Sequence, residues 1–251
     1  MIRHAHEHPV LRVATWNIHK GVQGLGPVRR LEIHNIGHAV EQLDADLVCL
    51  QEVRLMNHRE ARRFAHWPEL PQADFLAPEG YEPVYRTNAI TRHGEHGNAL
   101  LSRWPVLSHQ HEDISDHRFE QRGLLHTEVH IAGRTVHALV VHLGLIPGSR
   151  ERQVAQLQSY IAREIAAHEP VLVAGDFNDW GTRLTRLMAQ SGFHEYRGPR
   201  TPTYPSRLPL TQLDHVYARG LRPLSTMVPR GRIWPQMSDH LPLVAEFSWV
   251  D

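Results

Sequence analysis

The sequence predicts an α/β (α+β) sandwich, two packed mixed β-sheets with helices on their outer faces. Three observations predict it. A strand, helix, strand unit whose strands end in polar residues occurs near the N-terminus and again in the second half. Between the two units lie short strands punctuated by Gly, Pro and Asn, the pattern of antiparallel hairpins. A chain of 251 residues, 41% of them hydrophobic, with no long polar tract, is enough for one sizeable core, so a single domain spanning 9–250 is expected.

LRVATWN, residues 11–17, alternates as a half-buried strand ending at Asn17. After a Gly- and Pro-containing loop, LEIHNIGHAVEQL places Leu31, Ile36, Val40 and Leu43 at near-helical spacing, and ADLVCLQEV reads as a buried strand ending at Glu52. The basic run RLMNHREARR fits the exposed face of a helix. YEPVYRT, GNALLSRWPVLSHQHEDI and GLLHTEVHIA read as hairpin strands, with TRHGEHG as a loop carrying Arg92, His93 and His96. The second unit begins with RTVHALVVHLG, a strand holding His142 near its end. A helix over 148–165 follows, with Val154, Leu157, Ile161 and Ile165 on one face, and then the strand VLVAGDFN. RGPRTPTYPSRLPL is a loop by its prolines, and LDHVYA and LVAEFSW are further strands.

The two units have matching spacing: 35 residues from Asn17 to Glu52 (52 minus 17) and 34 from His142 to Asp176 (176 minus 142). Right-handed crossovers between parallel strands bring all four residues out at carboxyl ends, on one rim. The strand-end set to explain is Asn17, Glu52, His142, Asp176, Asn178, Asp214, Asp239 and His240.

Composition narrows what that rim does. Lys and Arg (27) balance Asp and Glu (27), which argues against holding nucleic acid chiefly by bulk positive charge. Lys20 is the only lysine, and Cys49, the only cysteine, sits in an apolar run that predicts a buried, inert thiol. The N-terminal MIRHAHEHPV lacks the apolar centre of a signal peptide, and no apolar run approaches membrane-spanning length, so a cytoplasmic location is expected. Carboxylates and amide oxygens suit Mg²⁺ or Mn²⁺, while the absence of paired cysteines and of an HExxH helix argues against a dedicated zinc site. There is no Walker-type phosphate loop, GxSxG elbow or dinucleotide fingerprint.

TWNIHKG, LVCLQEV, GNALLSR, VVHLG, VLVAGDFNDW, LDHVY and SDHLPL, in that order from residue 15 to 243, resemble the endonuclease/exonuclease/phosphatase superfamily, and the compact length most resembles a small bacterial branch of it. The resemblance implies a four-layer α-β-β-α, DNase I-like sandwich. It further implies a Mg²⁺- or Mn²⁺-dependent hydrolase that cleaves phosphodiester or phosphomonoester bonds by in-line attack of water. Carried over residue by residue, Glu52 binds the metal, with Asp239 as a second carboxylate beside it. Asn17 orients Glu52 or touches the metal's water shell. His240 contacts the phosphate or activates water and is oriented by Asp214. Asp176 is a candidate base, and Asn178 and His142 are donors to phosphoryl or leaving oxygens. Asn98 holds a loop near the rim, and Arg92 is a candidate phosphate contact. By strand alternation Phe177 and His215 point to the opposite face, and Asp179 caps the next helix. The substrate, whether small molecule, lipid head group or nucleic acid, stays open. Trp104, Trp180, Trp234, Leu145 and Ile146 are candidate apolar contacts at the mouth. An endo- or exonuclease and a catalytically silent binding protein on the same fold are the alternatives, and a monomer without an obligate protein partner is expected.

Overall fold

A computed structural model describes residues 10–24 and 26–250. Pro9, where the expected domain begins, and the N-terminal histidines lie outside them. The chain runs through β1 (Leu11–Asn17), a 3-10 turn (His19–Gly21), a short hairpin of β2 (Val22–Gln23) and β3 (Arg30–Leu31), α1 (Ile33–Leu43) and β4 (Leu47–Val53). Next come α2 (His58–Arg63), α3 (Gln72–Leu76), β5 (Glu82–Thr91), β6 (Gly94–Ser102), β7 (Val106–Asp113), β8 (Gly123–Ile131) and β9 (Arg134–His142). It finishes with α4 (Pro147–Glu164), β10 (Val171–Asp176), α5 (Arg183–Gln190), β11 (Asp214–Arg219), β12 (Leu221–Met227), α6 (Trp234–Met237) and β13 (Leu243–Trp249).

Two mixed sheets face each other, ordered β12-β13-β1-β4-β6-β5 and β11-β10-β9-β8-β7. The parallel pairs are the two crossover units: β1 beside β4, with Asn17 level with Gln51, and β9 beside β10, with His142 level with Asp176. Leu11, Val13, Leu47 and Cys49 of one sheet meet Val140, Leu172, Ala174 and Val216 of the other in the inner layer. On the outer faces, α1, α3 and α6 cover Ala14, Trp16, Val48 and Leu50, while α4 and α5 cover Leu139, Val141, Val171 and Val173. β1 is therefore buried on both faces, where alternation had suggested one; its outward residues meet α1 rather than water.

Helix α1 shows which force wins. Gly37 in its interior costs about 1 kcal/mol relative to alanine, yet Ile33, Ile36, Ala39, Val40 and Leu43 are all buried, and each large apolar side chain contributes about 1.5–3 kcal/mol. Packing outweighs propensity, and Gly37 leaves room for Phe75 and Leu76 of α3 at 3.9 Å from its missing Cβ. Leu31, expected in this helix, belongs to β3. In α4 the expected face holds: Val154, Leu157 and Ile161 are buried, with Tyr160 beside them. Its first turns also carry Gln153, whose Oε1 accepts from Gly144 N, and Arg150, whose Nη1 donates to the Leu145 carbonyl. α4 thereby fixes the loop after His142.

Two hairpin expectations change. GNALLSRWPVLSHQHEDI spans both sheets, β6 ending in one and β7 starting in the other. TRHGEHG is no open loop: Thr91 and Gly94 close the β5–β6 hairpin, and His96 is a strand residue paired with Ala89. No helix among the described residues is long and apolar enough to cross a membrane.

Candidate active site

The rim assembles because β9 and β10 end, and the antiparallel β11 begins, in register. Asp176 is level with His142 on one side and Asp214 on the other, so their side chains emerge together. His240 joins from the loop before β13. Asp214 Oδ2 lies 2.8 Å from His240 Nδ1 and also accepts from Thr203 Oγ1 at 2.6 Å. Since a carboxylate only accepts, its partner Nδ1 carries a proton, and His240 Nε2 faces Asp176 Oδ2 at 3.6 Å. His142 Nε2 stands 3.5 Å from the same oxygen. One ligand atom from each of Asp176, Asp214 and His240 falls within 4.8 Å of the others.

The loop bearing His240 is tied to the end of β1. Ser238 Oγ donates to the Asn17 carbonyl at 2.7 Å, and Trp16 Nε1 donates to the His240 carbonyl at 2.9 Å. Residues 224 positions apart are thus held by one buried indole hydrogen bond. Burial alone would push the His240 pKa down, but Asp214, Asp176 and Asp239 outweigh it and raise it to about 10. Asp176 is raised too, by burial first, opposed by His240 and reinforced by Asp214. His142 is held well below the ordinary imidazole range by burial and by the Arg122 guanidinium.

The second half of the site is a pair of carboxylates, each with a cationic or basic partner. Lys20 Nζ meets Glu52 Oε2 at 2.5 Å, and His19 Nδ1 lies 3.1 Å from Asp239 Oδ1. Burial raises the Glu52 pKa, but Lys20, His142 and His19 overcome it and hold the carboxyl well below its usual range. Asp239 is likewise lowered against burial by its contact with His19. The backbone is strained here. Of the six non-glycine residues with left-handed φ among those described, His19, Lys20, Glu52 and Asn178 belong to this rim, where such conformations persist only if the surroundings enforce them. Glu52 stands where the β4–β6 register shifts. Gly21 follows at φ +70, and a Cβ there would meet Ile33 Cδ1 at 2.8 Å.

Two ionised, partly accessible carboxylates are hard oxygen donors that fit Mg²⁺ or Mn²⁺; the Lys20 ammonium on Glu52 marks the place as one that favours positive charge. Asn17 differs from expectation. Its Nδ2 donates to Asp176 Oδ2 and its Oδ1 accepts from His19 N, both at 3.1 Å, so it orients Asp176 and the turn rather than Glu52.

Asn178 donates its backbone N–H to Asp176 Oδ1 and one amide hydrogen to the Leu143 carbonyl, both at 2.9 Å. Asn98 is fully buried between the sheets. Its Nδ2 donates to the carbonyls of Gly123 and Val140, so it clamps sheet to sheet instead of holding a rim loop or meeting substrate. Arg92 is exposed at the β5–β6 hairpin tip, outside this cluster. Phe177 and His215 point away, as alternation predicts: Phe177 packs edge-on against Tyr217, and His215 Nδ1 pairs with Glu195 at 2.7 Å. Asp179 caps α5 by accepting from Leu184 N.

Several functional groups escape the sequence pattern. Arg122 lies close enough to depress both His142 and His96, and its Nε is buried without a hydrogen-bond partner. His96 is lowered to about 4, first by burial and then by Lys20. The ring of Tyr204, in the Pro-rich segment, sits 4.9 Å from His240, with Trp180 edge-on to it at 5.8 Å. The signal for Lys20 was its uniqueness; Arg122 and Tyr204 are loop residues that no periodicity marks.

The profile of the Endonuclease/Exonuclease/phosphatase family matches residues 14–240. Uncharacterized protein YbhP of Escherichia coli (strain K12) is 36% identical over 243 residues, covering 94% of this chain and 95% of its own. The crystal structure of the endonuclease/exonuclease/phosphatase from Bacteroides vulgatus superposes with a TM-score of 0.74 at 15% identity, over 96% of this chain and 100% of that one. Mannosyl-6-phosphatase Bt3783 of Bacteroides thetaiotaomicron superposes with a TM-score of 0.70 at 17% identity, over 94% of this chain and 99% of its own.

Proposed function

The chain belongs to the Endonuclease/Exonuclease/phosphatase family, and on that footing we propose that it is a divalent-metal-dependent phosphoesterase that cleaves phosphodiester bonds by in-line attack of water. The observation that carries this reading is the chain of contacts Asp176, His240, Asp214 beside the ionised pair Glu52 and Asp239.

Glu52 and Asp239 would hold Mg²⁺ or Mn²⁺, which when bound polarises the phosphoryl group and neutralises the leaving oxygen. The remaining work falls to side chains. A His240 that is already protonated cannot accept a proton, so Asp176 takes the proton from the attacking water, its carboxylate aimed by Asn17 Nδ2 and Asn178 N. His240, fixed by Asp214, presents its Nε2 proton to the charge developing on phosphoryl oxygens. Arg122 Nε and the free amide hydrogen of Asn178 supply further donors, and His142 stays neutral as a hydrogen-bonding partner.

A small or lipid-borne phosphoester suits the mouth better than duplex DNA. Phe119, Leu145, Ile146 and Trp180 are 82%, 67%, 52% and 61% exposed, and the loops of Phe119 and Leu145 are joined by Leu145 N donating to Glu120. Trp104 and Trp234 do not contribute: Trp104 packs on the inner core and Trp234 is buried against Trp16. With zero formal net charge, few phosphates beyond the attacked one are neutralised. A nuclease acting on single strands is the second reading, favoured by Tyr204 and Trp180 as a surface on which an unpaired base can stack.

The test is a panel of bis-p-nitrophenyl phosphate, a phosphate monoester, duplex and single-stranded DNA, RNA, and mixed lipid phosphodiesters, with Mg²⁺, Mn²⁺ or chelator. Metal-dependent cleavage of the generic diester is expected, with duplex DNA a poor substrate. Absence of metal-dependent turnover on every member would favour the binding-protein alternative.

A further inference from the structure

Several apolar side chains that the fold leaves in water gather on the loops around the mouth of the rim. On one flank are Ile90 near the β5–β6 hairpin tip, Phe119 before β8, and Leu145 and Ile146 after β9, with Ile90 74% and Phe119 82% exposed. Hydrogen bonds join these loops: Ile90 N donates to Gln121 Oε1 at 3.2 Å, and Leu145 N donates to Glu120 Oε1 at 3.1 Å. The other flank, toward β11, carries Trp180, Leu208 and Leu210, all exposed. The turn holding the two leucines is fastened to the rim, since Leu210 N donates to the Tyr204 carbonyl at 2.9 Å and Ser206 N to the Asp239 carbonyl at 2.7 Å. Leu145 follows His142 by three residues, and the Tyr204 ring lies on His240, so the two flanks bracket the proposed catalytic groups.

We propose that these tips dock the protein on the surface of an anionic phospholipid bilayer, with the mouth facing the head groups. The inference rests on the phosphoesterase reading of the rim and names its substrate class, a phosphodiester in a lipid head group. Soluble monomers rarely leave large apolar side chains together in water, and such a patch marks a surface that is covered in use. Charge selects what covers it. Arg92, Arg118 and Arg207 stand beside the apolar tips, exposed and without an ion-pair partner among the described residues. The two carboxylates between Ile114 and Arg122 are already neutralised: Glu120 Oε1 pairs with Arg122 Nη2 at 2.9 Å, and Asp116 holds Arg152 through both oxygens at 2.6 and 2.7 Å. The tips are therefore locally positive although the whole chain has zero formal net charge, and that charge complements anionic head groups.

Aromatic and aliphatic tips with arginines next to them have the composition of segments that sit at the boundary between head groups and acyl chains. The Arg118 guanidinium lies over the Phe119 ring, 4.7 Å from its centroid. In that arrangement the ring enters the acyl boundary while the cation stays at the level of the phosphates. A protein partner seated on both flanks would close the mouth between them. A bilayer instead delivers a phosphate-bearing head group into it, and a long-chain lipid, kept out of water by its tails, is reached only at such a surface. The same hydrogen bonds and ion pairs that join the tips to the rim hold them out in place, so little ordering is lost on docking.

The full chain is sedimented, in the presence of a chelator, with vesicles of mixed phosphatidylglycerol and phosphatidylcholine and with vesicles of phosphatidylcholine alone. Binding to the mixed vesicles is expected, weaker in high salt and much weaker to phosphatidylcholine alone. Trp180, the tryptophan left exposed among the described residues, should give a blue-shifted emission on binding that Trp180→Phe removes. Ile90→Ser combined with Phe119→Ser should weaken binding at least about tenfold, and Arg118→Ser about fivefold. Leu208→Ser with Leu210→Ser, on the other flank, supplies a second variant if the first is unstable. No association with either vesicle, equal association with both, or unchanged affinity in both double variants would overturn the proposal and leave the patch to a protein partner. Because binding is read without turnover, the two readings separate. Metal-dependent cleavage of bis-p-nitrophenyl phosphate without vesicle binding would refute docking alone, whereas vesicle binding lost in the variants, with no turnover of any diester, would uphold docking and refute the hydrolase.

Discussion

His240 keeps its proton because carboxylates surround it, and that has a measurable pH signature. Its folded-state pKa is raised, so the stabilisation it draws from Asp214 and Asp176 is fully present below the ordinary imidazole value and is lost as pH rises through about 10. Chemical denaturation of the wild type and Asp214→Asn from about pH 6 to about pH 10 should show their stability difference shrinking with rising pH. In the proposed reaction Asp214 acts through the ring it orients, so Asp214→Asn and His240→Ala should be non-additive, the double variant about as slow as the worse single one; losses that multiply would separate their roles. On the proposed metal site, Lys20 competes with the divalent ion for Glu52. Lys20→Met should therefore tighten Mn²⁺ binding about five- to tenfold, the equivalent of about 1–1.4 kcal/mol for a partly buried ion pair, while Glu52→Gln weakens it; calorimetric titration reads both. Glu52, Asp176, Asp214, Asp239 and His240 were legible because each stands at the tip of a recognisable strand or in a short motif beside one. Of the cations, Lys20 was marked only as the sole lysine and Arg122 not at all, since a residue in a turn or just before a strand acquires its partners only in three dimensions.

At the scale of the element, the 3-10 turn after β1 is the most constrained piece of the rim. Gly21 needs positive φ, and an added Cβ would also press on Ile33. Gly21→Ala should cost about 1–3 kcal/mol and, by shifting His19 and Lys20, lower kcat more than it raises KM; unchanged steady-state kinetics in a destabilised variant would show that the turn serves folding alone. The crossover units were readable in advance because a parallel strand buried on both faces and an amphipathic helix leave different periodicities. β5 was not readable past Thr87. Its last residues, Asn88 to Thr91, mix polar and apolar side chains without alternation, and their pairing with β6 is set by the hairpin rather than by burial. The Pro-rich segment was correctly a loop, but only the fold shows that it brings Thr203 to Asp214 and Tyr204 to His240.

Across the whole molecule, the seam between the sheets and the pairing of β1 with β13 decide when a site exists at all. β1 is the first strand of its sheet to be made, yet one of its two neighbours, β13, is the last. While a nascent chain is still shorter than about 240 residues, Leu11 to Thr15 have an open edge, and His240 has not left the ribosome. Trp16 and Ser238 have not met either, so Asp176 lacks its imidazole and Asp239 is missing from beside Glu52. Such late closure makes for slow folding, because loop entropy over most of the chain is lost before the contact rewards it. A product that ends before Ser238 would therefore carry Glu52 and both crossover units but lack Asp239 and His240.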